Sequence, residues 1–274
     1  MKNNFAQRVI TAIIFAIILI GGVFWNPISF FLVFLTVVIV GIYEFFKLSV
    51  KGGIKPQIIP GILLGIVIYL SNFLVASSYC EQKIFTAYIP LMILIIINEL
   101  YREKAKPFTN IAFTIFGAFY VAVPFGLLSY FVFEPIFSEN YMPYILLGYF
   151  FLIWSSDSGA YIVGSLIGKH KLFERISPKK TWEGFFGGAA FSLLAAYILS
   201  LFIKQVSLVD WIVISLLTVV FGTFGDLVES LLKRMVDVKD SGHILPGHGG
   251  ILDRFDSILI SAPIIFIYLL YVLN

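Results

Sequence analysis

Long apolar stretches recur from one end of this chain to the other, and no other feature constrains its fold as strongly. A helix that crosses a membrane needs about 20 mostly apolar residues. The chain is 59% hydrophobic and only 13% charged, whereas about a quarter of the residues in a soluble domain are charged. We therefore predict an all-α, polytopic integral membrane protein with about nine transmembrane helices. Their ranges are roughly 9–25, 28–46, 58–76, 84–99, 111–133, 143–168, 184–203, 209–236 and 257–273.

The distribution of Lys and Arg predicts the direction in which these helices cross. Cytoplasmic segments of membrane proteins carry an excess of both residues. With nine spans and the N-terminus inside, 17 of the 19 Lys and Arg residues lie inside, and only Lys83 and Lys204 lie outside. This asymmetry predicts a cytoplasmic N-terminus, an outside C-terminus and cytoplasmic polar loops at 169–183 and 237–256. The first apolar stretch lacks a small-residue cleavage pattern, so we expect an uncleaved helix rather than a secretory signal.

Residues able to do chemistry are concentrated in the second half of the chain. We expect a single integral membrane domain over 1–274, with a helical scaffold in 1–140 and a catalytic half in 141–274. The single cysteine, Cys80, excludes an internal disulfide framework and a cysteine-based zinc site. Three scattered histidines argue against a His-rich metal site.

The eighth predicted helix carries acids at membrane depth. At 3.6 residues per turn, Asp226, Glu229, Lys233 and Asp237 share one face. Asp226 has apolar neighbours, and an acid in such a place needs a cation, a proton or a partner. An internal salt ladder is the alternative, because Glu229 and Lys233 have the favourable i, i+4 order.

A pair of carboxylates begins the ninth predicted helix. The i, i+3 spacing of Asp253 and Asp256 puts both on one side, with Arg254 turned away. Such a pair suits Mg²⁺, which binds one or two carboxylates and keeps positions for water and phosphate oxygens. The alternative is that both acids only stabilise the N-terminus of the helix through its dipole.

Two further segments suit anionic ligands. The glycine-rich turn Pro246–Gly250, between Lys239 and Arg254, allows backbone N–H groups to approach an anion, although tight turns are the usual explanation of such glycines. The segment Ser177-Pro-Lys-Lys-Thr-Trp-Glu-Gly184 could clamp a phosphate-bearing substrate or only attract anionic lipid. Asp157 is one more intramembrane acid, either a ligand or a partner of this basic segment.

The spacing of these residues resembles the signature of a known family. Ser230-Leu-Leu-Lys-Arg, Lys239-Asp-Ser-Gly and Leu245-Pro-Gly-His-Gly-Gly-Ile-Leu-Asp-Arg-Phe-Asp256 follow one another over 27 residues. This pattern resembles that of the phosphatidate cytidylyltransferases, also called CDP-diacylglycerol synthases. Asp157–Tyr161 and Ser177–Gly184 resemble other segments of the family, and the first half resembles it only in its apolar spans.

The resemblance implies a reaction in which CTP and phosphatidate give CDP-diacylglycerol and pyrophosphate, with Mg²⁺ as cofactor. It also implies a homodimeric, multi-pass enzyme of the bacterial inner membrane whose active site faces the cytoplasm, and no nucleic-acid partner. The phosphate nucleophile has a second pKa of about 6, so it needs no strong general base. The enzyme must align two anions and neutralise the leaving group.

On this basis we assign candidate residues by role. The metal ligands are Asp226, Asp253 and Asp256. The catalytic residues are Lys239, Asp240, His248 and Arg254. The substrate-binding residues are Ser177, Lys179, Lys180, Lys233, Arg234, Gly249 and Gly250.

Three other functions compete with this interpretation. A cation- or proton-coupled transporter would also carry intramembrane acids, but it would often show paired repeats, which we do not detect. An enzyme that consumes a CDP-lipid would resemble a spaced Asp-Gly…Ala-Arg…Gly…Asp…Asp pattern that is absent from the sequence. A kinase acting on another lipid alcohol is disfavoured only by the signature.

Overall fold

A computed structural model describes residues 2–134, 138–242 and 249–272. In this part of the chain almost all regular structure is helical. The helices are α1 Lys2–Trp25, α2 Pro27–Lys51, α3 Ile58–Ala76, α4 Tyr88–Tyr101, α5 Pro107–Leu127, α6 Ser129–Val132, α7 Tyr144–Ile167, α8 Trp182–Phe202, α9 Leu208–Arg234 and α10 Leu252–Val272, with a 3₁₀ helix at Gln82–Ala87. The strands form two antiparallel hairpins, β1 Phe133–Glu134 with β2 Ser138–Tyr141 and β3 Lys171–Phe173 with β4 Ser177–Thr181.

The predicted class, an all-α polytopic membrane protein, is confirmed. Within the described residues, eight helical segments are long and apolar enough to cross a membrane, and Ile10–Trp25 is a shorter apolar helix. The number of crossings and the sides on which the termini lie stay predictions. The two short hairpins were not predicted, and one of them occupies most of the segment that we expected to be a loop, 169–183.

Local sequence explains where two of the helices begin. Asn26 caps α2, since its side chain accepts a hydrogen bond from the Ser29 amide at 2.9 Å while the Asn26 amide donates to Ser29 Oγ at 3.1 Å. Pro27 follows at the first helical position, where its missing N–H costs nothing. Thr181 caps α8 by accepting a hydrogen bond from the Gly184 amide at 3.2 Å.

The end of α9 corrects one prediction. The helix stops at Arg234, and Asp237 lies beyond it in the left-handed region with φ +52°. The Val238 amide donates to the Lys233 carbonyl at 3.1 Å. This hydrogen bond is typical of helices that end with a residue in the left-handed conformation. Asp237 therefore does not share a helical face with Asp226, because the chain has already turned out of the helix.

The chain separates into two compact units. The first comprises Met1–Tyr141 and Leu232–Phe255, and the second comprises Met142–Leu231 and Asp256–Asn274. The first therefore takes in the predicted scaffold together with most of the signature segment. The predicted division into a scaffold and a catalytic half of one domain stays a prediction.

Glycines and aromatic rings build the interior of the first unit. Phe45 and Phe46 of α2 are fully buried. They fit because α3 and α5 present Gly61 and Gly117 to them, and a Cβ at Gly117 would lie 2.5 Å from the Phe45 ring. Because lipid is as apolar as these rings, close packing rather than removal from water stabilises this interior.

Close packing of α7 on α8 forms the frame of the second unit. A Cβ at Gly184 would lie 3.0 Å from the Ala160 carbonyl oxygen, and one at Gly188 would lie 2.9 Å from the Ser156 carbonyl oxygen. Small residues at this spacing let two helix backbones approach. Packing of α9 on α10 in this unit is equally tight, because a Cβ at Gly225 would collide with the Asp256 carbonyl oxygen.

Candidate functional site

A basic hairpin leads into α8 in the second unit. In β3 and β4, Lys171 pairs with Thr181 and Phe173 with Ser177. The Glu183 carboxylate ties down the beginning of the hairpin, since it accepts hydrogen bonds from the Lys169 amide at 3.1 Å and the His170 amide at 3.2 Å. Glu183 also contacts the His170 ring nitrogen at 2.6 Å. The strand that carries the predicted substrate-binding lysines is therefore fixed at both ends.

The hairpin supplies the counterion of Asp226. Lys180 Nζ lies 2.5 Å from Asp226 Oδ2, and the two side chains are 27% and 31% exposed. Ser230 Oγ donates a hydrogen bond to the other carboxylate oxygen at 3.1 Å. Asp226 therefore has a cation from a distant part of the sequence, which the helical spacing around Asp226 could not predict.

Asp256 adds a second acid near this ion pair. The backbone of Asp256 packs on the residue before Asp226, because a Cβ at Gly225 would collide with the Asp256 carbonyl oxygen. The Ser257 amide donates to Asp256 Oδ1 at 2.7 Å. Asp226 and Asp256 thus lie on two helices that pack closely at this point, and Lys180 of the basic hairpin partly offsets the negative charge.

A cavity of about 500 Å³ opens beside this cluster. Its size is within the range of small-molecule sites, about 300–1,000 Å³. Charged and hydroxyl groups and apolar side chains all line it, so its chemistry suits an amphiphilic or phosphate-bearing ligand. The polar part includes Asp157, Lys179, Lys180, Asp226 and Ser257, and the apolar part includes Ile153, Ala160, Leu172, Phe185 and Val219.

The acids of the second unit suit a magnesium ion that also binds phosphate. Within the described residues there is no group of three or more His, Cys, Asp or Glu side chains arranged to hold a metal by themselves. Mg²⁺ does not require one, because it commonly uses one or two carboxylates and completes its shell with water and substrate oxygens. Asp226 and Asp256 provide two such carboxylates on helices that pack closely at this point. The ion and its ligands stay predictions.

In the first unit, Asp253 is the centre of a second polar cluster. Lys233 Nζ lies 2.7 Å from Asp253 Oδ1, and the two side chains are only 12% and 5% exposed. Asp253 Oδ2 accepts hydrogen bonds from the Ser241 amide at 2.9 Å, from Ser241 Oγ at 2.9 Å and from the Gly250 amide at 2.7 Å. Both oxygens of this carboxylate are therefore engaged with protein groups, and its predicted role as a metal ligand stays a prediction.

The glycine-rich turn has a structural reason for its composition. Gly249 has φ +83°, which favours glycine, and a Cβ there would lie 2.6 Å from Asp253 Oδ2. The Gly250 N–H is directed at the same carboxylate, so a protein acid holds an amide that we expected to approach a ligand. Whether Gly249 and Gly250 also contact substrate stays a prediction. The rest of the turn, including His248, lies outside the described residues.

Glu44 of α2 is a polar residue of this cluster that sequence reasoning missed. It is 1% exposed. Its Oε2 accepts hydrogen bonds from the Leu252 amide at 3.0 Å and from Ser241 Oγ at 3.2 Å. A signal was present in the sequence, because an acid within a long apolar span is costly and usually has a specific purpose.

The other predicted site residues lie mostly at the surface of their units. The Arg234 side chain donates to the Val238 carbonyl at 3.4 Å. In the second unit, Ser177 is half-buried and begins β4. The exposed residues are Lys179, Arg234, Lys239, Asp240 and Arg254. The structure thus brings together Lys179, Lys180 and Asp226 around the cavity of the second unit, and Lys233, Asp253 and Gly250 in the first unit.

Known proteins match this chain over nearly its whole length. Residues 6–272 match the cytidylyltransferase family. The chain is 36% identical to a phosphatidate cytidylyltransferase of Bacillus subtilis, over 96% of this chain and 97% of that protein. It is similar to the enzymes of the same name from Staphylococcus saprophyticus, with 36% identity over 99% of this chain and 100% of the relative, and Haemophilus influenzae, with 32% identity over 97% and 99%.

Proposed function

Because the chain belongs to the cytidylyltransferase family, we propose that it transfers CMP from CTP to phosphatidate, giving CDP-diacylglycerol and pyrophosphate. The chain is a multi-pass membrane enzyme, a transferase of phospholipid biosynthesis. The relatives that carry the name phosphatidate cytidylyltransferase match it over nearly their whole length. The structural observation that carries the proposal is the cavity of the second unit, where Lys180 pairs with Asp226 beside a basic hairpin.

In the proposed reaction an oxygen of the lipid phosphate attacks the α-phosphorus of CTP. A new P–O bond forms, the bond from that phosphorus to the bridging oxygen breaks, and pyrophosphate leaves with the bonding electrons. The lipid phosphate is a monoester with a second pKa of about 6, so at neutral pH it is already largely ionised. We therefore assign no general base to the reaction.

The residues of the chain then have to position and neutralise anions. Lys179 and Lys180 both line the cavity and are the proposed partners of phosphate oxygens. Lys180 is held in place by Asp226 at 2.5 Å, so little ordering is needed when a phosphate arrives. Prior alignment of the two reactants is worth several kcal/mol of the barrier, up to about 7–11 kcal/mol in well-oriented systems.

We assign Mg²⁺ as the cofactor, with Asp226 and Asp256 of the second unit as its ligands. The role of Asp253 as a metal ligand stays a prediction from the sequence. Bound there, the ion would neutralise charge that develops on the pyrophosphate leaving group. The pair of carboxylates in the second unit fits the donors that this ion prefers.

The apolar part of the cavity supports a lipid as one substrate. Ile153, Phe185 and Val219 line it together with the lysines, so the lining offers contacts for acyl chains as well as for a phosphate. We further propose an inner-membrane location with the active site facing the cytoplasm, because the positive-inside rule predicts a cytoplasmic position for the lysine-rich hairpin. A homodimer is proposed from the family resemblance.

Mass spectrometry of the lipid product tests the proposal. Purified protein is incubated with CTP, Mg²⁺ and phosphatidate, and each component is left out in turn. We expect CDP-diacylglycerol and pyrophosphate only when all three are present. Pyrophosphate release that does not depend on phosphatidate, or a phosphorylated lipid alcohol in place of CDP-diacylglycerol, would contradict the proposal.

A further inference from the structure

Glu44 connects the first half of the chain to the signature segment within the first unit. It lies on α2, about 200 residues before the segment that it contacts. Its carboxylate is buried, and a single oxygen accepts hydrogen bonds from the Leu252 amide at 3.0 Å and from Ser241 Oγ at 3.2 Å. Ser241 precedes the glycine-rich turn and Leu252 follows it, so one carboxylate ties both ends of the turn.

The Glu44 carboxylate occupies the space beside two glycines of the signature. A Cβ at Gly242 would collide with Glu44 Oε1. A Cβ at Gly250 would collide with Ser241 Oγ and would lie 2.5 Å from both Glu44 oxygens. Real Cβ atoms do not approach other heavy atoms this closely. The absence of side chains at these positions is therefore explained by the space that Glu44 and its partner Ser241 occupy.

Glu44 also contacts the group that orients Asp253. Ser241 donates its amide hydrogen to Asp253 at 2.9 Å, and its hydroxyl lies 2.9 Å from the same Asp253 oxygen and 3.2 Å from Glu44. Because a serine hydroxyl carries one proton, it serves one acceptor at a time. Glu44 and Asp253 thus share a donor, and loss of Glu44 would release one end of the arrangement that fixes Asp253.

We propose that Glu44 is a positioning residue for cytidylyl transfer, acting by fixing the two ends of the glycine-rich turn through hydrogen-bond acceptance. The proposal rests on the proposed function. It assigns a specific role to the predicted scaffold of 1–140, because a residue of that region then sets the geometry of the segment that carries Lys239, Asp240 and Arg254.

The first test compares Glu44→Ala with Glu44→Gln. Alanine removes both hydrogen bonds, whereas glutamine keeps an acceptor oxygen of nearly the same reach. We expect E44A to lower kcat about 10- to 100-fold with a smaller change in the KM for CTP, because small displacements of reacting groups cost rate. We expect E44Q to retain kcat within about 3-fold of the unaltered enzyme, since an uncharged acceptor preserves the bonds.

Glu99 provides the matched control. It is also a buried glutamate of the first unit, at 5% exposure. Its partners are Gln57, Arg102 and Asn110 rather than any residue of the signature. Kinetic constants per folded molecule should therefore be unchanged in Glu99→Ala even if the protein melts earlier. Equal losses of kcat in E44A and E99A would overturn the positioning role, because they would reflect general damage.

A second test uses the contact between Glu44 and Gly242 and does not depend on activity. Gly242→Ala should lower the melting temperature in detergent, because the new methyl group meets Glu44 Oε1. The same change should cost less in a protein that already carries E44A, where the space is free; residues in contact are expected to couple in this way. Additive effects of the two substitutions would overturn the inference.

The two tests separate failure of this inference from failure of the proposed function. If the unaltered protein makes no CDP-lipid, the function is wrong, while the coupling between Glu44 and Gly242 still reports on the contact. If the unaltered protein is active and E44A is equally active, or if E44Q is as impaired as E44A, the positioning role is wrong and the function stands.

Discussion

Replacing Lys180 with methionine separates its structural role from its proposed catalytic role. The change keeps most of the side-chain volume but removes the ammonium group that lies 2.5 Å from Asp226. Both side chains are about a quarter to a third exposed, and exposed ion pairs contribute about 0.2–1 kcal/mol to stability. We therefore expect K180M to fold normally, with a melting temperature within a few degrees of that of the unaltered protein.

The expected effect on activity is much larger. If Lys180 contacts a phosphate oxygen in the transition state, its loss should resemble the removal of one preorganised donor, which typically lowers kcat about 10²–10³-fold, or about 2.7–4 kcal/mol. The assay is CDP-diacylglycerol formation at saturating CTP and phosphatidate, with thermal unfolding in detergent measured on the same preparation.

A lysine elsewhere in the second unit controls for the substitution itself. Lys204 donates a hydrogen bond to the Ser200 carbonyl at 3.0 Å, is exposed, and does not line the cavity. K204M should leave both kcat and the melting temperature unchanged. The reasoning is refuted if K180M keeps more than about a third of the activity, or if its activity and stability fall together, because the proposed donor is worth at least about 2.7 kcal/mol.

Three further predictions test other parts of the structure. Asp253→Asn should destabilise the protein by about 1.5–3 kcal/mol, because it removes the charge from one partner of a buried hydrogen bond between charged groups, and adding Lys233→Met should recover part of that loss in a detergent melt; no recovery would contradict the pairing. Asp226→Asn should raise the Mg²⁺ concentration needed for half-maximal turnover at least about 10-fold, because a Mg²⁺ site has only one or two carboxylate ligands and the variant loses one of them. An unchanged Mg²⁺ titration would exclude this residue as a ligand. Gly188→Leu should prevent recovery of folded protein, because its side chain would enter the α7 backbone near Ser156, and a normal melting curve would contradict the helix packing described here.

The membrane class and the helix positions were predictable from sequence because they follow from local properties. Apolar runs of sufficient length need no knowledge of their partners, and each predicted span corresponds to a helix of the described structure. One error concerns the end of α9. Asp237 adopts the left-handed backbone conformation, so it does not share the helical face that the periodicity predicted for it.

The contacts of the site were less predictable because they join distant parts of the chain. Lys180 and Asp226 are 46 residues apart in the sequence, and only folding brings the basic hairpin to α9. The sequence suggested Asp157, as a ligand or as the partner of the basic segment. In the structure Lys180 of that segment pairs with Asp226 instead. The motif indicates candidate segments but does not specify which acid each cation meets.

Glu44 shows a different limit of sequence reasoning. Its neighbours form an ordinary apolar span, and an acid in such a span indicates a specific purpose without identifying its partners. Its importance depends on Gly242 and Gly250, which leave space for its carboxylate. Sequence alone explains these glycines equally well by a tight turn, so the structure was needed to assign them to a contact with α2.

The most direct measurement of the central claim is the location of the metal and nucleotide in an experimental structure with CTP and Mn²⁺ in place of Mg²⁺. Anomalous scattering should place Mn²⁺ about 2.0–2.3 Å from carboxylate oxygens of Asp226 and Asp256, with a phosphate oxygen of CTP within hydrogen-bond distance of Lys180. A metal bound away from both aspartates, or a triphosphate that does not reach the cavity of the second unit, would contradict the account.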